Sequence, residues 1–325
     1  MRRREFLTIL GGAAVSPLAV HAQQSIAPVV GFLHSGVEAQ SRHVIGFSKG
    51  LSELGFIEGR DVSVQYRFAE GHYDRLPAMV SELANQRVAV LAATGGVQTA
   101  LAAKSNGGTI PIVFGNGSDP VQFGLVESLN RPGGNITGVS YLTATLEAKR
   151  LGLLSKLVPD AHVFGVLVNP TNDNAENQLK AVAEGGIALA RPMVILKASS
   201  EQEIEKAFEA FVRQGANALL VASDPYFFGQ RRMIIDLAAR SGLPAIYEWR
   251  EFAQAGGLAS YGTNLFDNYR LVGLYTGRIL KGERPADLPV LQATKFEFVV
   301  NLKAAKSLGL TLPAGPVSTA DDVIE

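Results

Sequence analysis

Residues 29–36 read Val29-Val30-Gly31-Phe32-Leu33-His34-Ser35-Gly36. Five apolar or small residues run without interruption and end on an imidazole, a hydroxyl and a glycine. Val44, Phe47, Leu51 and Leu54 then recur at helical spacing, and Gly55 follows them. That pattern predicts an amphipathic helix with a glycine stop. An unbroken apolar run leading into a helix is how a parallel strand buried on both faces reads. The unit recurs along the chain. Strands are predicted over 62–67, 88–93, 110–114 and 138–141, with a helix over 73–86. A second series places strands at 163–168, 194–197, 218–222, 245–247 and 258–261, and helices at 175–190, 201–213 and 230–241. Two such series predict an α/β fold of two doubly wound parallel-sheet lobes.

A helix over 145–158 links the series, and the chain returns near 261–263 before a helix over 268–280. Lobe 1 is thus expected to hold 28–142 plus about 263–283, and lobe 2 to hold 143–262. The tail, 284–325, carries a strand at 296–301 and a short helix ended by Gly309. Its lobe is left open by the sequence.

Composition narrows the function. Hydrophobic residues make up 47% of 325, enough for two cores. Thirty basic and thirty acidic residues balance to zero, so no basic face argues for nucleic acid. Cysteine is absent, which excludes disulfides, thiolate metal sites and a cysteine-borne lipid anchor. At the N-terminus, Arg2, Arg3 and Arg4 precede an apolar stretch over 7–20 and then Val20-His21-Ala22. This layout predicts a signal peptide over 1–22, cleaved after about Ala22, and a periplasmic protein. Arg3-Arg4-Glu5-Phe6-Leu7 fits a twin-arginine signal, with Sec export as the alternative. No later segment is apolar for about 18 residues, so no stable membrane insertion is expected.

Ligands of open parallel sheets bind beyond the carboxyl ends of the strands. The first half places His34, Ser35, Thr94, Gly95, Asn116, Gly117, Ser118 and Asp119 there. The second half places Asn169, Asp224, Tyr226, Trp249 and Tyr261 there. Small hydroxyl, amide and glycine residues opening helices present free N–H groups and a positive dipole end, which suits a carboxylate. The aromatic residues offer an apolar wall. Ser118-Asp119-Pro120 and Ser223-Asp224-Pro225 occupy equivalent positions in the two halves. Asp before Pro is an ordinary helix cap, and a carboxylate there serves capping, ligand contact or both. Glu248, beside Trp249, is a further ligand-contact candidate. Cofactor and catalytic signatures are missing. Thr94-Gly95-Gly96 lacks the Gly-Lys-Ser/Thr of a phosphate loop, and Gly115-x-Gly117 meets Pro120 where a dinucleotide fingerprint needs glycine. The histidines show no metal spacing, and no G-x-S-x-G elbow occurs.

A family resemblance follows from longer motifs. Gly50-Leu51-x-Glu53-Leu54-Gly55-Phe56-x-Glu58-Gly59-Arg60, Tyr73-Asp74-Arg75-Leu76-Pro77 and Arg131-Pro132-Gly133-Gly134-Asn135 resemble the ABC-transporter substrate-binding family that includes TrpX-type proteins. Gly256-Gly257-Leu258-x-Ser260-Tyr261-Gly262 and Phe296-Glu297-x-Val299-x-Asn301 continue it. The resemblance covers roughly 28–312. It implies a type I periplasmic-binding fold that hands a small molecule, often an aromatic amino acid or related acid, to an ABC permease and its ATPase. By position it implies a pocket drawn from Ser35, Thr94, residues 116–119, Asn169, Asp224 and Tyr226. The expected protein is a monomeric, non-enzymatic binding protein without a cofactor. Two rival readings are a ligand sensor for a membrane receptor and an exported enzyme using Asp119 or Asp224 as a base.

Overall fold

The computed structural model describes residues 27–37, 42–143 and 146–325; the predicted leader lies outside them. The first half runs β1 (Val29–His34), α1 (Arg42–Glu53), β2 (Ser63–Phe68), α2 (Leu76–Asn85), β3 (Val90–Thr94), α3 (Val97–Asn106), β4 (Ile112–Asn116) and β5 (Ile136–Ser140). Then come α4 (Glu147–Leu157), β6 (Phe164–Val168), α5 (Ala175–Leu189), β7 (Met193–Lys197), α6 (Glu201–Arg213) and β8 (Ala218–Val221). They are followed by α7 (Pro225–Gly229), α8 (Arg231–Arg240), β9 (Ala245–Tyr247), α9 (Arg250–Gln254) and β10 (Ala259–Thr263). The chain closes with α10 (Leu265–Leu280), β11 (Leu291–Gln292), β12 (Phe296–Asn301), α11 (Leu302–Ser307), α12 (Ala314–Ser318) and β13 (Asp322–Ile324).

Two sheets form. One has the order β11-β5-β4-β3-β1-β2 and the other β13-β12-β10-β9-β8-β6-β7. Every pairing is parallel except β10 with β12. The inner strands β3, β4, β5 and β6 are buried at every residue, whereas the edge strands β2 and β7 are half-exposed. That contrast is why the inner strands read as unbroken apolar runs.

The chain passes between the sheets three times. It leaves the first sheet after β5 through Tyr141 and Leu142, the latter with φ +57°. It returns after β10 by way of α10, which packs along α1 and over β3, β4 and β5. A third passage connects β11, at the edge of the first sheet, to β12 in the second. The tail left open by the sequence is therefore divided: β11 pairs in the first sheet, and β12 and β13 pair in the second.

Some elements differ from the sequence reading. Helix α3 was not predicted; its Ala, Thr and Ser content carries little amphipathic signal, and β3 and α2 hold it by packing. The short α7 and α9 and the strands β11 and β13 also went unread, being too short for periodicity to register. The 73–86 segment splits into a 3-10 turn over Tyr73–Arg75 and α2. The last long helix starts at Leu265 because the Asn264 side chain caps it by accepting from the Asp267 N–H at 3.0 Å.

Helices α1 and α10 touch backbone to backbone. A Cβ added at Gly46 would lie 2.5 Å from the Phe266 carbonyl oxygen, and one at Gly50 would lie 2.0 Å from that of Arg270. From the other side, a Cβ at Gly273 would lie 2.1 Å from the Phe47 carbonyl. In an isolated helix Gly→Ala stabilises by roughly 0.5–1 kcal/mol. Here the clash decides the sign. Gly50→Ala is expected to cost about 1–3 kcal/mol through overpacking, measured as a lower urea midpoint at unchanged slope.

Candidate functional site

The carboxyl ends of both sheets face one cleft between the lobes. A cavity lies in this cleft. From the first lobe it is lined by Gly95, Gly96, Val97, Asn116, Gly117, Ser118, Tyr141 and Tyr269, and from the passage after β5 by Thr143. Asn172, Asn174, Gln178, Ser223, Asp224, Pro225, Glu248 and Trp249 line it from the second.

Asp224 organises the second wall. It caps α7, where Pro225 takes the first helical position. Its Oδ1 accepts from the Phe227 N–H at 3.1 Å and from Asn169 Nδ2 at 3.0 Å. Its Oδ2 accepts from Asn172 Nδ2 at 2.9 Å and from the Tyr73 hydroxyl at 3.0 Å. Burial pushes this carboxyl up from its ordinary range, and the four donors pull it back part of the way. Tyr73 belongs to the other lobe, so this carboxylate spans the cleft lip. Beside it the Tyr226 ring covers Gly71, where a Cβ would come within 2.5 Å of the ring. Gln122 and Asn177 exchange side-chain hydrogen bonds across the lips at 3.2 and 3.4 Å. The lobes are therefore in contact on both sides of the cavity.

Behind Asp224 lies a buried ion pair on α4. Arg150 donates from Nη1 to Glu147 at 2.9 Å and to the Ser223 hydroxyl at 2.8 Å, and from Nε to the Tyr261 carbonyl at 2.8 Å. The other Glu147 oxygen accepts from the Ser223 N–H at 3.1 Å. Glu248 sits next to this pair, 4% exposed. Its carboxyl is raised to about 8, chiefly by burial; Arg150 lowers it, Glu147 raises it, a Thr143 hydrogen bond lowers it and Asp224 raises it.

Several polar atoms around the cavity are buried without a protein partner, among the described residues. They are Asn116 Nδ2, Tyr141 Oη, Gln178 Oε1 and Trp249 Nε1. An unpaired buried donor or acceptor costs about 1–3 kcal/mol, and all four atoms belong to residues that line the cavity.

The residues singled out by sequence divide into three groups. Gly95, Asn116, Gly117, Ser118, Asp224 and Trp249 line the cavity, and so does Glu248. His34, Ser35, Thr94 and Asn169 lie one layer behind it. Ser35 donates to the Gly95 carbonyl, and Thr94 Oγ1 to the Leu33 carbonyl at 3.2 Å. The His34 ring packs 4.6 Å from that of His43, and its Nδ1 is 3.3 Å from Thr94 Oγ1. Burial lowers His34 to about 4, against a raising hydrogen bond at the Thr94 backbone. A Cβ at Gly95 would lie 2.3 Å from His34, so the imidazole sets the height of that glycine loop. Asp119, Tyr226 and Tyr261 are outside the lining. Asp119 is exposed and accepts from the Val121 and Gln122 N–H groups, and Tyr261 stacks on Phe296.

Sequence reasoning missed Tyr141, Thr143, Gln178 and Tyr269. Tyr141 ends a predicted strand, so the rule applied to the other strands would have found it. Gln178 and Tyr269 sit within helices and give no local signal.

A family model described as ABC transporter substrate binding protein matches residues 29–324. A tyrosine-binding protein from Clostridioides difficile is 26% identical over 270 residues, covering 82% of this chain and 76% of that protein. Among solved structures, a conserved domain protein from Vibrio cholerae superposes with a TM-score of 0.84 at 25% identity, covering 91% of this chain and 99% of that one. An ABC domain in complex with L-Trp from Streptococcus pneumonia gives 0.82 at 23% identity, covering 92% and 100%.

Two outcomes follow from the geometry. Tyr73→Phe keeps the ring but removes a donor from a buried carboxylate, a bond worth about 1.5–3 kcal/mol. X-ray scattering of the ligand-free variant should show a larger radius of gyration, because that bond exists only with the lobes together. The second concerns pH. Glu248 has its folded pKa raised from 4.5 to about 8, so its stability contribution is full below 4.5 and is lost as pH rises through 8. His34 is lowered from 6.5 to about 4, so its contribution is present above 6.5 and lost as pH falls through 4. Melting temperature against pH for the ligand-free protein should therefore flatten on the alkaline side in Glu248→Gln and keep its acid-side loss.

Proposed function

The chain belongs to the ABC transporter substrate binding protein family, and from that premise we propose that it captures an amino acid or related small carboxylate in the interlobe cleft and delivers it to a membrane permease. The observation that carries this reading is that four residues lining the cavity, from both lobes, each hold a buried polar atom without a protein partner. The ligand's carboxylate is assigned to Asn116 Nδ2, Trp249 Nε1 and the Gly96-Val97 N–H groups that open α3. The rings of Tyr141, Trp249 and Tyr269 supply an apolar wall. Relatives that bind tyrosine and L-Trp support a ligand of that size. Closure follows from cross-lobe bonds that need both halves, such as Tyr73 to Asp224.

The family is one of substrate-binding proteins and works with a permease. We assign the remainder to this chain on the same basis: periplasmic location behind a leader cleaved after about Ala22, a partner ATPase, a monomeric state and no turnover. No helix among the described residues is long and apolar enough to cross a membrane. Asp224 suits a structural role better than a general base, since donors occupy both its oxygens, and Asp119 lies outside the cavity. Residue groupings of 28–142 with 263–292, and 146–262 with 296–325, are proposed as the bodies that move.

Trp249 is the only tryptophan in the chain and stands in the cavity wall, so its fluorescence reports occupancy. Mature protein, unfolded and refolded to strip bound ligand, is screened against amino acids and small aromatic acids. A ligand at 100 times its Kd should add about 2.7 kcal/mol to stability and shift the Trp249 emission. Failure of every small molecule to do either would overturn the reading.

A further inference from the structure

The charge inside the cleft does not balance. Asp224 and Glu248 line the cavity, and no Lys, Arg or His does among the described residues. Glu147, Asp224 and Glu248 are buried near one another, and the nearby cation is Arg150. Arg150 donates from Nε and Nη1 to the Tyr261 carbonyl, Glu147 and Ser223, and its buried Nη2 has no hydrogen-bond partner. Asp224 is satisfied by four neutral donors. Glu248 is left with the Thr143 hydroxyl, and no basic nitrogen lies within 4.0 Å of it among the described residues. A buried carboxylate without a counter-ion is unstable as the anion. On the same cavity wall Gln178 Oε1 is a buried acceptor with no donor. Gln178, with an acceptor that has no donor, and Glu248, with no counter-ion, both line the cavity.

We propose that Glu248 is the counter-ion for a protonated nitrogen of the ligand, so that the cleft takes zwitterionic and cationic amines and rejects molecules bearing only a carboxylate. The proposal rests on the reading of this cleft as the ligand site and narrows its substrate class. The ligand nitrogen sits between Glu248 and Gln178 Oε1, with its carboxylate, where it has one, toward Asn116. In the empty cleft Glu248 keeps its proton up to about pH 8. Arrival of an ammonium group favours the carboxylate, and the proton leaves to solvent. Binding near pH 7 thus releases up to one proton per ligand.

The test uses matched probes: L-tyrosine and L-tryptophan, their decarboxylated amines tyramine and tryptamine, and their deaminated acids 3-(4-hydroxyphenyl)propionate and 3-indolepropionate. Thermal shift and calorimetry read all six; Trp249 emission is read with the tyrosine series, since the others carry their own indole. The amino acids should bind, the deaminated acids should bind at least 100-fold more weakly, and Glu248→Gln should lose at least 100-fold for the amino acids. The variant is isosteric with the protonated side chain, and its melting temperature verifies folding. Calorimetry at pH 7 in phosphate and in Tris should give enthalpies that differ by the buffers' ionisation enthalpies times the protons released. Deaminated acids binding as well as their amino acids, or Glu248→Gln staying within threefold, overturns the proposal while leaving the cleft as a ligand site. Absence of any response from all six probes, and from the wider screen above, overturns both.

Discussion

The carboxylate of Asp224 is the point on which the closed arrangement depends. It is one side chain with four donors: a helix N–H, two asparagine amides from the loop after β6, and a tyrosine hydroxyl from the opposite lobe. Three of the four come from its own lobe and exist whatever the other lobe does. The fourth requires both. A buried carboxylate missing a donor carries a desolvation cost, so the lobe that holds Asp224 is prepared for the other to arrive. Gly71 beneath Tyr226 makes the approach close enough for the bond to form.

The second constraint is the Glu147–Arg150 pair. Replacing such a pair with apolar residues is often neutral for stability, so its presence argues for positioning rather than strength. It binds α4, which follows the first passage between the sheets, to the Ser223 N–H and hydroxyl and to the Tyr261 carbonyl in the middle of β10. The linking helix is thereby fixed to the floor of the cleft. The Arg150 guanidinium keeps Nη2 without a hydrogen-bond partner, and no ion pair within 4.0 Å joins it to Glu248 among the described residues. The same arrangement that holds the lobe together leaves one acid in the cavity uncompensated.

The two aspartates read as equivalent from the sequence illustrate what packing adds. Asp119 and Asp224 both precede proline at a strand end, and both accept from backbone N–H groups of the following turn. Asp119 faces solvent and does nothing more. Asp224 faces the other lobe and gathers three side-chain donors besides. His34 is a comparable case. Its position at the end of β1 marked it for the site, yet it is roofed by Gly95 and acts on the cavity through that loop.

Two α/β lobes, the parallel inner strands, the cleft at the strand ends and six of the thirteen residues singled out as its lining were determined by the sequence itself. Burial on both faces leaves unbroken apolar runs, and strand-end loops need glycine, hydroxyl and amide residues, so these features are local and periodic. The tertiary structure alone decided the division of the tail between sheets, the backbone contact of Gly46 and Gly50 with α10, and the entry of Gln178 and Tyr269 into the site. It also decided the protonation of Glu248. Those properties come from through-space contact and loss of solvent between residues far apart in the chain, and no spacing along the sequence encodes them.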